Sequence, residues 1–412
     1  MKAKTFMLIA GEASGDLLAA ELVTALRSQL PDAHFFGAGG AKMAAAGVEL
    51  AFDLTQHSVI GISDVLKNYF EFRRLFHQLL ALATERQPDV VIGVDYGGFN
   101  LRFGQAVKRY VRDNPFSKWN PKIVQFVSPQ VWASRPGRAN KLTRDYDLLL
   151  SIFPFEKDWY AERVPQLRVE FVGHPMIGRF ANDDLRLTRR ETESRRSRED
   201  QAQTEFGNRK PETGIESESP HVVSDEPKIL LLPGSRKSEL QRHLPVMLFA
   251  LKLIQDKLPT AKAKMVLPNP SLVQFAKSLG ANLEIQIGEL PWALAESDVA
   301  LASTGTVTME CAFFGVPTVT LYKTSWLTYQ IAKRIVTVKS LTMPNLLAGE
   351  TVYPEFIQQD AMPENLSRAA LELLQDEARR AKIKLQLAKV ISSLGEPGAA
   401  GRAANAVLSL FP

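Results

Sequence analysis

The stretch "PDVVIGVDYGGFN" (residues 88–100) constrains this chain more than any other. Val90 to Val94 offers no polar side chain, so both faces of the segment must be covered. A run apolar on both faces that ends on an acid and two glycines reads as a central strand of a parallel sheet. Parallel neighbours need crossover connections, and the sequence supplies them. Short apolar runs at 5–10, 34–37, 89–94, 122–127, 147–152 and 168–172 alternate with helix-like stretches at 15–30, 63–86, 100–113 and 155–163. This is the rhythm of βαβ units.

Residues 181–227 interrupt the rhythm. They carry many charges of both signs and few apolar side chains, too few to offset the entropy of ordering. They are expected to be a polar insertion or linker. The alternation resumes with "KILLLPGSR" (228–236), a helix through 238–257 with Ser238 as its N-cap, strands at 263–268, 283–288 and 297–303, a helix at 305–314 and a strand at 317–322. The last fifty or so residues read as helices. The expected organisation is an α/β protein: a first domain over 1–180, a second over 228–385, and a C-terminal helix within 386–412 packing back on the first domain. Two doubly wound, Rossmann-like domains facing a cleft place ligands beyond the carboxyl ends of their strands.

Composition narrows the function. The 412 residues are 45% hydrophobic and 23% charged, as in ordinary globular proteins, with a formal charge of +5. That excess suits an anionic ligand or membrane surface and gives no reason to expect nucleic acid. One cysteine, Cys311, excludes an internal disulfide and is expected to be a buried small hydrophobe. No run reaches the ~18 apolar residues of a membrane span, and the apolar run before Gly11 is too short for a secretory signal. A cytoplasmic protein, peripheral on a membrane, is the expectation.

The strand ends carry the candidate chemistry. In the second half, Ser303, Thr304, Gly305 and Thr306 follow a strand and open a helix, an arrangement suited to an anion. Glu310 lies one turn into that helix and could take the hydroxyls of a ribose. The same pattern fits a capped helix with a surface glutamate. "LLLPGSR" adds a second strand–turn–helix junction, in which Gly234 and Ser235 permit close backbone approach and Arg236 offers a planar fork to phosphate oxygens. Two such junctions in one domain favour a UDP-type ligand. There is no Walker A pattern and no G-x-G-x-x-G at these junctions, and "DYD" (145–147) reads as structural, so no metal and no cofactor is expected.

In the first half, Asp95 ends the central strand where a general base would sit, with Asn100 just beyond. It also fits a turn-forming aspartate. "AGEASGD" (10–16) is a glycine turn carrying Glu12, Ser14, Gly15 and Asp16. Its carboxylates suit sugar hydroxyls better than a phosphate, and Asp16 complements the start of its own helix. Ser128, Gln130, Trp132 and His174 also follow strands, His174 fitting either a cleft or a backbone bond. Arg102, Lys108, Arg109, Arg112, Lys118, Lys122, Arg135, Arg138, Lys141 and Arg144 face only Asp113, Asp145 and Asp147 in the same region. With Tyr69, Phe70, Phe72 and Phe76 just before, this basic and aromatic surface suits acidic lipid.

With these residues assembled, the sequence resembles the lipid-A-disaccharide synthases, glycosyltransferases of the GT-B fold. The resemblance covers nearly the whole chain except about 185–226 and rests on "AGEASGD", "GVDYGGFN", "SPQVWA", "PFEKDWY", "VGHPM", "LLPGSR", "ASTGTVTMECAFFGVP" and "MPNLLAGETVYPEF". It implies metal-independent transfer of 2,3-diacylglucosamine from UDP-2,3-diacylglucosamine to 2,3-diacylglucosamine 1-phosphate. The product is a β(1→6) disaccharide, made with inversion at the inner face of the cytoplasmic membrane. By resemblance, Asp95 is the base toward the acceptor 6-hydroxyl. Arg236, residues 303–306 and Glu310 hold UDP, and Asn345 lines the donor site. The chain departs from the family at Gly97 and Gly98, where many members have proline and aspartate, and at Ser134, where tryptophan is frequent. A UDP-N-acetylglucosamine 2-epimerase-like isomerase of the same fold is the alternative activity, and a non-catalytic binder a third. Nothing in the sequence fixes oligomeric state, and a homodimer is one assembly it allows.

Overall fold

The computed structural model describes residues 3–55, 69–180 and 226–411. Nearly all of the expected 181–227 linker, and the start of the helix expected from 63, lie outside the described residues. The chain divides into two compact units. One comprises Met1–Gly178, Lys333–Val338 and Ser393–Pro412, the other Arg179–Ala332 and Lys339–Ser392.

In the first unit, strands β1 (Thr5–Ala10), β2 (His34–Gly39), β3 (Glu49–Asp53), β4 (Val90–Val94), β5 (Lys122–Phe126), β6 (Leu148–Ser151) and β7 (Val169–Phe171) form one sheet in the order β3-β2-β1-β4-β5-β6-β7. Every pair is parallel. The strand read as central is central, and all five of its residues are buried. The order reverses direction between β1 and β4, where Ala10 pairs with Val94. Gly11 and Asp95 therefore leave the sheet side by side, at the crevice where doubly wound sheets take ligands.

The second unit repeats the plan. Strands β8 (Lys228–Leu232), β9 (Lys262–Leu267), β10 (Glu284–Ile287), β11 (Val299–Ser303), β12 (Thr318–Tyr322) and β13 (Glu355–Ile357) lie in the order β10-β9-β8-β11-β12-β13, again all parallel. Here the reversal falls between β8 and β11, with Leu232 beside Ala302. "PGSR" and "STGT" thus leave adjacent strand ends. Each unit has its own apolar core, Met7, Ile9, Val91 and Phe103 among its members in the first, and Leu230, Leu301, Val319 and Leu366 in the second. Cys311 is fully buried, and burial pushes its thiol up to about 12.

The structure departs from the sequence reading at the edges. β3 and β13 were not expected, being short, half-exposed outer strands without a continuous apolar run. The helix after β4 begins at Gly97 instead of 100. The helix after β8 begins at Lys237 with Arg236 as its N-cap, which corrects Ser238. The reason is Glu239, whose carboxylate accepts the N–H groups of Ser235 and Arg236 at 2.9 and 3.3 Å and fixes the first turn one residue pair earlier. The final helix, Ala399–Leu408, packs on Ala13–Gln29. Gln29 Nε2 donates to Asn405 Oδ1 at 2.8 Å, and Arg402 Nε to the Val172 carbonyl at 2.8 Å.

Candidate active site

At the β1/β4 switch point the glycine turn is shaped by packing. A Cβ on Gly11 would stand 2.3 Å from the Tyr96 ring, and one on Gly15 would meet the Val94 carbonyl at 3.2 Å and Asp95 Cβ at 3.4 Å. The two glycines let Tyr96 cover the turn and let the helix Ala13–Gln29 close on the end of β4. Asp95 and Tyr96 both adopt left-handed backbone, φ +51° and +46°, a conformation that non-glycine residues seldom take. Asp95 is half-buried. Burial raises its carboxyl above the ordinary range, against the opposing pull of the Tyr96 backbone N–H and the Ser14 hydroxyl, which donates to Oδ2 at 3.3 Å.

The left-handed turn is held from beneath. The Asp95 carbonyl accepts Asn100 Nδ2 and Gln125 Nε2, each at 2.9 Å, while its N–H donates to the Phe126 carbonyl at 2.8 Å. Gln125, wholly buried, also donates to the Val127 carbonyl at 3.2 Å. Val127 is itself left-handed at φ +67°, which is costly for a β-branched residue. One amide therefore bridges the strained ends of β4 and β5.

The other acceptor-side candidates divide. Glu12 is half-buried near Tyr96, whose hydroxyl pKa is raised by burial and then by the Glu12 charge. Asp16 is turned onto backbone. It is buried, Oδ1 accepts Gly40 N–H at 2.7 Å and Met43 N–H at 3.1 Å, and Oδ2 accepts Lys42 N–H at 2.9 Å. It thus caps the helix Ala41–Ala45 as well as sitting in its own first turn. Gln130 is exposed before the short helix Val131–Ser134.

Ser128, Trp132 and His174 join a second cluster. Ser128 Oγ lies 3.1 Å from the Tyr160 hydroxyl, Trp132 Nε1 donates to Glu156 Oε1 at 2.9 Å, and the His174 ring lies 5.5 Å from Phe153. His174 Nδ1 accepts Met176 N–H at 3.2 Å, so the histidine bonds backbone, one of its two expected uses. Burial pushes Glu156 up to about 7 despite its bonds to Trp132 and Ser128.

At the β8/β11 switch point, Gly234 has φ +123°, and a Cβ there would stand 2.4 Å from Glu239 Oε2. Ser235 and Arg236 are exposed, and Arg236 Nη1 lies 3.6 Å from Glu239 Oε1. Beside them, Ser303 is buried, Thr304 half-buried, and Gly305 and Thr306 are exposed ahead of the helix Val307–Phe313. Glu310 is half-buried, and desolvation lifts it to about 7 against the field of Arg179. The buried His243 ties this edge together, with Nδ1 3.0 Å from the Pro233 carbonyl and Nε2 accepting Lys323 N–H at 3.0 Å.

Asn345 lies on the helix Met343–Ala348, which packs on Val307–Phe313. It is 2% exposed, Nδ2 donates to the Tyr353 carbonyl and to Glu355 Oε1, and Oδ1 accepts Val352 and Tyr353 N–H, all four bonds at 2.8 Å. Every polar atom of the amide is occupied, so it locks the 345–355 loop. Asn345→Ala is expected to destabilise the protein by about 2–4 kcal/mol through the stranded backbone groups. UDP affinity of the folded protein should stay unchanged, as checked by thermal melting and by UDP titration below the transition. An unchanged melting temperature with lost UDP binding would restore the donor-lining role.

Sequence reasoning missed Gln125, Glu156, Glu239 and His243. A glutamine inside the strand "KIVQF", and glutamates three residues after Phe153 and Arg236 at helix starts, were the available signals. Among the described residues no three His, Cys, Asp or Glu side chains gather in a metal-holding group.

Two Rossmann-like units, each with polar loops at its switch point, define a GT-B protein, a class that includes nucleotide-sugar glycosyltransferases and epimerases. Solved structures agree in fold. They include S. aureus MnaA in a co-structure with UDP (TM-score 0.58, 15% identity, 99% of this chain and 98% of that one). A kitacinnamycin glycotransferase gives TM-score 0.56 at 15% identity, with both chains fully covered. The UDP-GlcNAc 2-epimerase of Neisseria meningitidis bound to UDP-GlcNAc gives TM-score 0.55 at 12% identity, covering 99% of each chain.

The family model for lipid-A-disaccharide synthetase matches residues 6–213 and 204–409. The lipid-A-disaccharide synthase of Trichlorobacter lovleyi is 36% identical over 99% of this chain and 97% of its own. That of Myxococcus xanthus is 34% identical over 98% and 97%. The chain belongs to the lipid-A-disaccharide synthase family, and with it to the glycosyltransferases that use a UDP-sugar. The epimerase alternative falls away, since the epimerases share the fold alone.

Proposed function

We propose that the protein transfers 2,3-diacylglucosamine from UDP to the 6-hydroxyl of 2,3-diacylglucosamine 1-phosphate, with inversion, at the anionic inner face of the cytoplasmic membrane. The observation that carries the reading is Asp95. It is a carboxyl at the β1/β4 switch point, held in a strained left-handed turn by two buried amides, its pKa raised by burial.

In this reading the Asp95 carboxylate takes the proton of the 6-hydroxyl. The oxygen's electron pair forms a bond to the anomeric carbon of the donor, the bond from that carbon to the diphosphate oxygen breaks, and UDP leaves with the pair. Arg236 and the N–H and hydroxyl groups of 303–306 offset the charge growing on UDP, and Glu310 accepts hydroxyls of its ribose. Glu12 and Ser14 face acceptor hydroxyls, whereas Asp16 and Asn345 shape the loops. Membrane contact is supported by Phe70, 77% exposed at the start of the helix Tyr69–Arg86, and by the basic side chains nearby in sequence.

The test supplies purified protein with both lipid substrates, with and without EDTA, and reads the product by mass spectrometry. Disaccharide unaffected by EDTA is expected. No disaccharide from a protein that still binds UDP would reject the acceptor and sugar assigned here.

A further inference from the structure

Resting on that reading, a group of arginines beside the Asp95 turn gains a role. Of the basic residues in this region, three are already paired with acids. Lys108 Nζ and Lys122 Nζ lie 2.9 and 3.5 Å from Asp147, and Arg144 Nη2 lies 2.7 Å from Asp145. Arg102, Arg135 and Arg138 are among the remaining seven. All three are exposed, and among the described residues none has an acidic partner.

They are also neighbours. Arg102 lies five residues, about 7.5 Å of axial rise, past the start of the helix Gly97–Asp113, which begins two residues after Asp95. One turn before it on the same face is Gly98, where an added Cβ would meet nothing within 4 Å. Where many family members have an aspartate, which could pair with the residue at 102, this chain presents open space. Arg135 and Arg138 close a single turn over Pro136–Arg138, with Arg138 N–H donating to the Arg135 carbonyl at 3.0 Å. The helix Ala139–Asp145, which follows Arg138 directly, packs on the Arg102 helix, and the segment leading into Val131–Ser134 meets the start of that helix, where a Cβ on Gly97 would stand 3.1 Å from Pro129 Cβ. Burial and then the fields of Arg135 and Arg102 lower the pKa of Arg138, so Arg138 feels the charge of both neighbours.

Like charges held together without a counter-charge repel, and an anion placed among them relieves the repulsion. A phosphomonoester, with about −1.5 to −2 charges at pH 7 and three acceptor oxygens, matches planar guanidinium forks. In a glucosamine 1-phosphate, the carbon bearing C6 and the carbon bearing the phosphate flank the ring oxygen. A base at the 6-hydroxyl therefore requires a phosphate site within one sugar's width. We infer that Arg102, Arg135 and Arg138 hold the 1-phosphate of the acceptor sugar.

The same chemistry could serve phospholipid headgroups, so the test separates the two. In non-ionic micelles, R102A, R138A and the double variant are expected to raise the acceptor KM about 10- to 100-fold, with the donor KM unchanged. Arg→Lys variants should recover part of the loss. With the 1-dephospho acceptor, wild type and variants should show the same kcat/KM. An unchanged acceptor KM in micelles, an equal loss with the dephospho acceptor, or a loss confined to binding of phosphatidylglycerol vesicles would overturn the inference. If the wild type makes no disaccharide, the proposed activity fails while the cluster is still tested. Titration of glucosamine 1-phosphate, followed by arginine side-chain NMR, should shift these three signals in the wild type, and their silence would count against the site.

Discussion

Asp95→Asn is expected to lower kcat by about 10²–10⁴-fold, the loss typical of a removed general base, with UDP affinity unchanged. The substitution isolates the chemistry for a structural reason. Asparagine tolerates the left-handed backbone of residue 95 as well as aspartate does, and an amide keeps an oxygen within reach of Ser14. In the wild type kcat/KM should fall on the acid side as Asp95 protonates, at a pH above the ordinary carboxylate range, and the variant should lack that limb. Stability should move the other way. A carboxyl whose folded pKa is raised binds more protons folded than unfolded, so ionising it at neutral pH opposes folding. The variant should melt at the same temperature or higher. Unchanged turnover would remove Asp95 from the mechanism.

Gln125→Leu is the second large effect, and it acts at a distance. Leucine fills the same buried volume but removes the donors to the Asp95 and Val127 carbonyls. Asp95 would retain only Asn100 beneath it, and the two left-handed turns would be free to relax. A displacement of about 1 Å at a reacting group can cost ~10²-fold, so kcat should fall about 10- to 100-fold with little change in either KM. The stability loss should be small, about 1 kcal/mol, because the glutamine Oε1 is itself buried without a partner and its removal relieves that cost. Kinetics and thermal melting on one preparation decide the matter. A large drop in melting temperature with kcat intact would make Gln125 a core residue only.

These two residues show what a sequence reveals and what it conceals. Asp95 was legible because its signal is local: an apolar run, an acid and glycines in sequence. The same holds for "PGSR" and "STGT", and for the central strands, whose both-face burial leaves a continuous apolar run. Gln125 acquires its role only when β4 and β5 pair, and His243 only when β8 and β12 bring Pro233 and Lys323 to one ring. Asp16 and Asn345 were placed among ligand-facing groups on residue type and resemblance. The backbone N–H groups that occupy them come from segments 24 to 27 and 7 to 8 residues away, and their approach is a tertiary event. The edge strands β3 and β13 lacked the two-sided burial that made the central strands visible.

The division of the chain has a consequence for its synthesis. The polypeptide passes between units at 178/179, 332/333, 338/339 and 392/393. The helix Ala399–Leu408 that covers Ala13–Gln29, and Phe411 whose ring meets Phe6 at 6.4 Å, emerge from the ribosome long after every strand of the first sheet. During that interval the first sheet stands with one helix uncovered, and the second unit, begun later, can finish first. A chain ending at residue 392 and carried clear of the ribosomal exit tunnel by a flexible linker should therefore show a protease-resistant second unit beside a first unit still open to cleavage.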